Sequence, residues 1–237
     1  MKSAAHSERE NRILSLWERA VGRSRWDRDD ALLADAGRPR GLGDRNRALL
    51  AIHAALFGRD WQLGSDCPDC GTECEFAVDA VALADALTVA TPDADSSSVE
   101  CQGRAISLRA PTLDDLQAAA AHGDVASGVR TLLARCILTP VDLAQMGEED
   151  VAKLELGIEK LDRAAIVTFA LTCPDCGHEW TSPLDVGNAL WAELVRAAEL
   201  SFLDIDALAR TYGWTEEQII GLSPVRRAAY LQLAAAS

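Results

Sequence analysis

Histidine is scarce in this chain, with four in 237 residues (His6, His53, His122 and His178), and no pair has the spacing of a metalloprotease helix. There is no phosphate-binding loop, since Gly41-Leu42-Gly43 lacks the Gly-Lys-Ser/Thr that would complete one, and no Gly-x-Ser-x-Gly elbow. These gaps remove the usual signatures of metal-dependent proteolysis, nucleotide hydrolysis and acyl transfer. The expectation is a protein that is not an enzyme. No apolar run approaches the ~20 residues of a membrane span, so no membrane role is expected. Met1 to Arg12 is polar and charged, without the apolar stretch of a signal peptide. With seven cysteines in such a chain, a reducing cytoplasm is expected.

Positive charge is missing from two long stretches. Residues 64–103 hold nine acids and no Lys or Arg, and residues 164–195 also hold neither. A nucleic-acid-binding surface needs cations to displace the counterions of phosphate. The formal charge of −14 and this distribution point away from nucleic acid. Residues 1–50 carry eleven of the 23 basic residues, ten of them arginine, which reads as a solvated surface. If that surface docks, an acidic protein suits it better than DNA.

Within the cation-free stretches lie two matching knuckles, Cys67-Pro68-Asp69-Cys70-Gly71 and Cys173-Pro174-Asp175-Cys176-Gly177. Each Cys-x-x-Cys turn offers two sulfurs and leaves half of a tetrahedral metal site unfilled, so two facing turns complete it. At a fixed offset of 106, Glu73 also matches Glu179 and Asp79 matches Asp185. Strands are expected before each knuckle (60–63 and 165–172) and after it (74–78 and 178–182), followed by helices over 80–87 and 184–199. The reading is one structural zinc per chain, held by Cys67, Cys70, Cys173 and Cys176 in a ribbon whose halves are split by an insertion. A dithiol redox centre is the competing reading, since Cys-Pro-x-Cys also occurs in thioredoxin-like proteins. There, however, the motif opens a helix after a strand. Cys74, Cys101 and Cys136 read as small buried residues, with Cys74 near enough to be an alternate ligand. His178 reads as exposed or as lying behind the ligands.

The segments around the knuckles are mainly helical. Ile13, Leu16, Trp17 and Ala20 fall on one helical face, as do Leu49, Ile52, His53 and Leu56 in a helix that Gly58 ends. His53 is expected at a core edge, and 37–41 is a loop. Residues 91–98 read as a flexible loop, and the alternation of Val99 and Cys101 with Ile106 and Leu108 about Gln102-Gly103 reads as a β-hairpin. Thr112 caps a helix whose Asp114 and Asp115 favour its positive end, and helical patterning runs on to Leu161. The C-terminus has a glycine cap at Gly213, a Thr215/Gln218 capping box and a Ser223-Pro224 start, predicting three short helices. Such a tail is compatible with a DNA-reading helix-turn-helix, although 201–237 holds three arginines against four acids. The fold class is α+β and mostly helical. Its expected divisions are a helical region (1–59), the first half-ribbon and helix (60–87), an inserted hairpin and helical region (88–164), the second half-ribbon and helix (165–200) and a C-terminal helical module (201–237).

The order of several motifs resembles the T-even phage baseplate protein family. They are Leu16-Trp17-Glu18-Arg19, the stretch from Asp44 to Leu50 leading to Phe57-Gly58, the first knuckle with Glu75-Phe76, and Tyr212-Gly213-Trp214 followed by Arg226-Arg227 and Tyr230-Leu231. The resemblance covers most of the chain outside residues 113–160. Members are often described as baseplate hub assembly chaperones and occur with contractile injection systems, which are phage-tail-like particles. The resemblance implies a non-enzymatic part in building a baseplate, with hub, spike or tape-measure proteins as partners. It leaves both the cytoplasm and the finished particle as locations, and both chaperone and subunit as roles. Trp214, Ile219, Tyr230 and Leu231 are the candidate partner anchors, because large apolar and aromatic groups carry most interface energy. A zinc-ribbon nucleic-acid or transcription factor is the alternative.

Overall fold

The computed structural model describes residues 2–37, 39, 41–90 and 96–236. In chain order its elements are α1 (Lys2–Ala20), α2 (Arg25–Leu32), α3 (Leu42–Phe57), β1 (Asp60–Asp66), β2 (Glu73–Asp79), α4 (Ala80–Ala90), β3 (Ser96–Cys101), β4 (Arg104–Arg109), α5 (Leu113–Ala120), α6 (Val125–Cys136), α7 (Glu148–Leu161), β5 (Val167–Thr172), β6 (Glu179–Leu184), α8 (Val186–Tyr212), α9 (Glu216–Ile220) and α10 (Pro224–Ala235). The chain is thus mostly helical α+β, and its described strands form three separate two-stranded antiparallel sheets, β1-β2, β3-β4 and β5-β6. Among the described residues no helix is long and apolar enough to cross a membrane.

Contacts gather these elements into two units, one from Leu33 to Val186 and one joining Met1–Leu32 to Gly187–Ser237. This division departs from the five-part sequence reading: α3 belongs with the knuckles, and the two ends of the chain share one unit. Long-range packing decides such a grouping, and linear patterning does not report it.

In the Leu33–Val186 unit, the hairpin β3-β4 turns at Gln102 and Gly103, both with positive φ (53° and 70°), as a two-residue turn between twisted strands requires. Its inward residues Cys101, Ile106 and Leu108 pack with Leu133 and Cys136 of α6 and Leu154, Ile158 and Leu161 of α7. Asp162, just beyond α7, reaches the start of α3, where Oδ2 accepts from the Gly43 amide at 2.8 Å. Asn46 donates to the carbonyls of Ala164 (2.9 Å) and Ala165 (3.1 Å) and fixes the same junction. These bonds set the turn that leads into β5. Within α3, His53 is fully buried and stacked on Trp61 with ring centroids 4.1 Å apart, so it lies in the core and not at its edge.

The other unit is helical. Trp17 of α1 meets Phe202 of α8 edge to face at 5.1 Å, and Arg227 of α10 grips Glu10 of α1 through two bonds of 2.6 Å. Both partners are buried, and the guanidinium also donates to the Ile219 carbonyl at 3.2 Å.

Residues 25–32 form a helix within the helical region expected over 1–59: Leu32 buries its end, and Arg28 donates to Asn188 at 2.5 Å and lies 5.6 Å from the centre of the Trp191 ring. Some local expectations are corrected. Helix α8 does not stop at Glu199 but runs 27 residues to Tyr212, because the buried series Leu190, Leu194, Ala198 and Leu208 keeps one face apolar. Of the expected loop at 91–98, Ser96 to Ser98 belong to β3, where Ser98 pairs with Ser107, and 91–95 lie outside the described residues. Ala165 lies in a short 3-10 turn, and the strand expected from it begins at Val167.

Candidate metal centre

Each knuckle is the turn of a β-hairpin. Strand β1 delivers Cys67, whose amide donates to the Thr72 carbonyl at 2.9 Å, while the Gly71 amide donates back to the Cys67 carbonyl at 2.9 Å. The second turn repeats this, with Cys173 to His178 at 2.9 Å and Gly177 to Cys173 at 3.0 Å. Gly71 (φ 76°) and Gly177 (φ 75°) occupy the left-handed region, where a side chain would be strained, and this reverses the chain after the second sulfur. The repetition reaches beyond the knuckles. In each case a helix (α3 or α7) precedes the hairpin and another (α4 or α8) follows directly, which makes an α-β-β-α unit used twice.

The four sulfurs of Cys67, Cys70, Cys173 and Cys176 lie within 4.8 Å of one another. Between knuckles, Cys67 Sγ is 3.7 Å from Cys176 Sγ and Cys70 Sγ is 3.5 Å from Cys173 Sγ. The offset of 106 converts one pair into the other, so each sulfur position of one knuckle meets the other position of its counterpart. A tetrahedron with metal–sulfur bonds of ~2.3 Å has edges of ~3.8 Å. The donor set is therefore compatible with a four-coordinate metal ion. Each knuckle contributes one buried sulfur (Cys67, Cys173) and one exposed residue (Cys70, Cys176).

Contacts away from the sulfurs hold the hairpins in place. The Thr72 hydroxyl lies 2.8 Å from Asp175 Oδ2, the Ser65 and Ser182 hydroxyls are 2.9 Å apart, and Phe76 packs against Phe169 with centroids 5.3 Å apart. Phe76 and Asp175 belong to motifs of the sequence, but none of these contacts is legible in it. Phe76 and Phe169 carried a signal in their strand alternation, but which faces would meet is a property of the pairing alone.

With no Lys or Arg nearby in sequence, negative sulfur must be stabilised by backbone dipoles. The Cys176 amide, followed by that of Asp175, outweighs desolvation at Cys173 and lowers its thiol to about 6. The His178 amide favours the Cys176 thiolate too, but desolvation and hydrogen bonds with the other three sulfurs prevail and push that thiol up to about 12. The hydrogen bonds with Thr72 lower the Cys70 thiol as well, and metal binding would expel the protons that remain on the four sulfurs. Cys74 is different. It is buried against Cys67, Cys173 and Trp180, desolvation pushes its thiol up to about 11, and it stands outside the four-sulfur set.

Four thiolates fill a tetrahedral ion and leave no position for water or substrate, so the arrangement suits a staple and not metal-assisted hydrolysis. Both Cys-x-x-Cys motifs lie between antiparallel strands and neither opens a helix. Cys101 and Cys136 are buried in the α6-α7 core, and His178 is exposed.

The candidate partner anchors fall in the other unit. Trp214, Tyr230 and Tyr212 form an aromatic cluster, with centroids 4.7 Å (Tyr212 and Trp214) and 4.8 Å (Trp214 and Tyr230) apart. Trp214, Tyr230 and Leu231 remain half-buried. Ile219 is corrected from anchor to core: it is fully buried on the apolar side of α9 and offers no surface. Comparison with protein-family models, with curated proteins and with solved structures finds no match to this chain.

Proposed function

We propose that this chain is a non-enzymatic assembly factor or structural subunit of the baseplate of a phage-tail-like contractile particle, stapled by one structural zinc ion. The observation that carries the staple is the closed four-sulfur cluster, whose spacing suits a tetrahedral ion and whose soft thiolates favour zinc over magnesium or calcium. A staple joining Cys67 and Cys70 to Cys173 and Cys176 closes a loop of about a hundred residues. In zinc-finger peptides such a site supplies roughly 10 to 16 kcal/mol of apparent binding free energy at neutral pH.

The baseplate reading rests on the ordered motifs, and the positions of those motifs support it. Trp17, Tyr212, Trp214, Arg227 and Tyr230 are packing or ion-pair residues of one helical unit. Residues that define a resemblance by building a fold fit an interaction protein better than a catalyst. Trp214, Tyr230 and Leu231 are the half-buried groups available to a hub, spike or tape-measure partner.

Two measurements test this. Protein purified without chelator should contain one zinc per chain, and Cys173→Ser should lower metal content and melting temperature far more than Cys101→Ser or Cys136→Ser. Absence of zinc, or a Cys67 to Cys70 disulfide that cycles with thioredoxin, overturns the staple. Hub, spike or tape-measure proteins should co-purify from the native host. Saturable, steeply salt-sensitive DNA binding in their place would promote the nucleic-acid alternative.

A further inference from the structure

An open groove of about 660 Å³ runs among the helices of the Leu33–Val186 unit. Leu116 of α5, Val129 and Leu132 of α6, and Ile166 before β5 are among the residues that line it. The first three are half-buried, and Ile166 is 63% exposed. Aliphatic side chains lining a trough of this size leave room for several more from outside, and burying them would gain about 25 cal/mol per Å² of apolar surface.

Its charged lining is mainly acidic. Glu155 and Glu159, one turn apart on α7, line the groove with Asp162, against the single guanidinium of Arg163. The two glutamates do nothing evident for the fold. Whereas Glu149 and Asp150 share Lys153 at 2.8 and 3.7 Å, no ion pair or hydrogen bond engages Glu155 or Glu159 among the described residues. Glu159 also stands in the last turn of α7, where the negative pole of the helix disfavours a carboxylate. Asp162 is buried with Oδ2 on the Gly43 amide and Oδ1 lacking a hydrogen-bond partner among the described residues.

We infer that this groove is a docking site for a basic amphipathic α-helix of a partner protein, whose apolar stripe lies against Leu116, Val129, Leu132 and Ile166 and whose Lys or Arg side chains pair with Glu155 and Glu159. An open trough suits a helix laid along it better than a small enclosed ligand, and the unpaired carboxylates supply the charge complementarity. The inference goes beyond the assembly reading by naming a surface and the chemistry of its partner. It stands independently of the zinc.

The test uses the full-length protein and a labelled 18-residue synthetic helix with leucines on one face and lysines along its flanks, followed by fluorescence anisotropy. A second peptide replaces every lysine with glutamate. The lysine peptide is expected to bind saturably and to weaken with added salt, and the glutamate peptide to bind at least tenfold more weakly. Glu155→Gln with Glu159→Gln, and separately Ile166→Asp, should each weaken the lysine peptide tenfold or more without changing the melting temperature, since all three residues are exposed. Equal binding of both peptides, absence of binding, or binding unchanged by these variants overturns the proposal. So does concentration-dependent self-association of the chain that Ile166→Asp abolishes, which would make a second copy the occupant.

Discussion

Asp115 sits fully buried at the start of α5, where desolvation alone would raise its pKa. Bonds from Arg109 (2.6 and 3.1 Å), the Thr112 amide and hydroxyl (2.9 and 2.8 Å) and Arg135 Nε (2.7 Å) outweigh burial and hold the carboxyl well below the usual range. A carboxylate with a depressed folded pKa stabilises the fold fully above its unfolded pKa of ~3.9 and loses that contribution as pH falls from there toward the folded value. Asp115→Asn removes the charge but keeps the shape. It should cost about 2 to 3 kcal/mol at pH 7, less than for a fully buried pair because the side chains of Arg109 and Arg135 are 31% and 44% exposed. In thermal melts of both chains the difference should be full at pH 7 and should shrink below pH 4. The knuckle sulfurs, common to both, drop out of that comparison, and a difference that stays constant down to pH 3 would rule out the charge as its source. The sequence made Asp115 visible as a residue near a helix start. The two arginines that meet it were not, because Arg109 closes a strand and Arg135 lies on another helix.

Helix α7 lies on the hairpin β3-β4 through Gly157, where an added Cβ would come 2.6 Å from Val99 Cγ2 and 2.7 Å from Leu108 Cδ1. On an exposed helix face, glycine to alanine stabilises by up to about 1 kcal/mol. Here Val99 is stiff at χ1 and Leu108 is fully buried, so neither yields easily. Gly157→Ala should therefore destabilise by about 1 to 2 kcal/mol in denaturant unfolding, as overpacking does. A gain in stability would mean that the helix does not approach the hairpin this closely. At this scale much of the fold was legible before any coordinates. Alternation about Gln102-Gly103 marked β3-β4, and the matched knuckles marked the β1-β2 and β5-β6 turns and brought the four cysteines into one candidate site. What escaped was the last part of α8, which follows a stretch where Leu200 and Leu203 face outward (58% and 66% exposed) and where no residue between Ala198 and Leu208 is fully buried. The repeated α-β-β-α unit was half visible, because the helices before the hairpins match in place but hardly in sequence. The groove beside α7 had no signal at all, since its lining is drawn from residues as far apart in the sequence as Leu42 and Ile166.

At the scale of the molecule, the candidate ligands all lie in the Leu33–Val186 unit, whereas the C-terminal helices complete the other. The C-terminal helices contribute Ile219 and Ile220 to the buried interior, and Arg227 neutralises Glu10, which is only 4% exposed. A chain ending after Leu208 would take the Arg227 guanidinium from Glu10 and leave it only His6, 3.8 Å away; breaking a buried pair costs about 3 to 5 kcal/mol, less where the cover goes too, and the apolar burial of α9 is lost in addition. Arg227→Met isolates the ionic part, since it keeps much of the side-chain volume while stranding the carboxylate. Both variants should lower the melting temperature of the second unit, the truncation more than the substitution. Both should retain metal at the wild-type stoichiometry, because no ligand or inter-hairpin contact is touched. Metal analysis alongside a melt followed by tryptophan fluorescence reads the two effects separately. A truncated chain that loses its metal and aggregates would mean that the cysteine cluster needs the C-terminal helices and that the two units fold as one. A truncated chain that keeps its metal and its stability would mean that the Glu10 to Arg227 pair contributes nothing net, and would leave Trp214, Tyr230 and Leu231 with no role except docking.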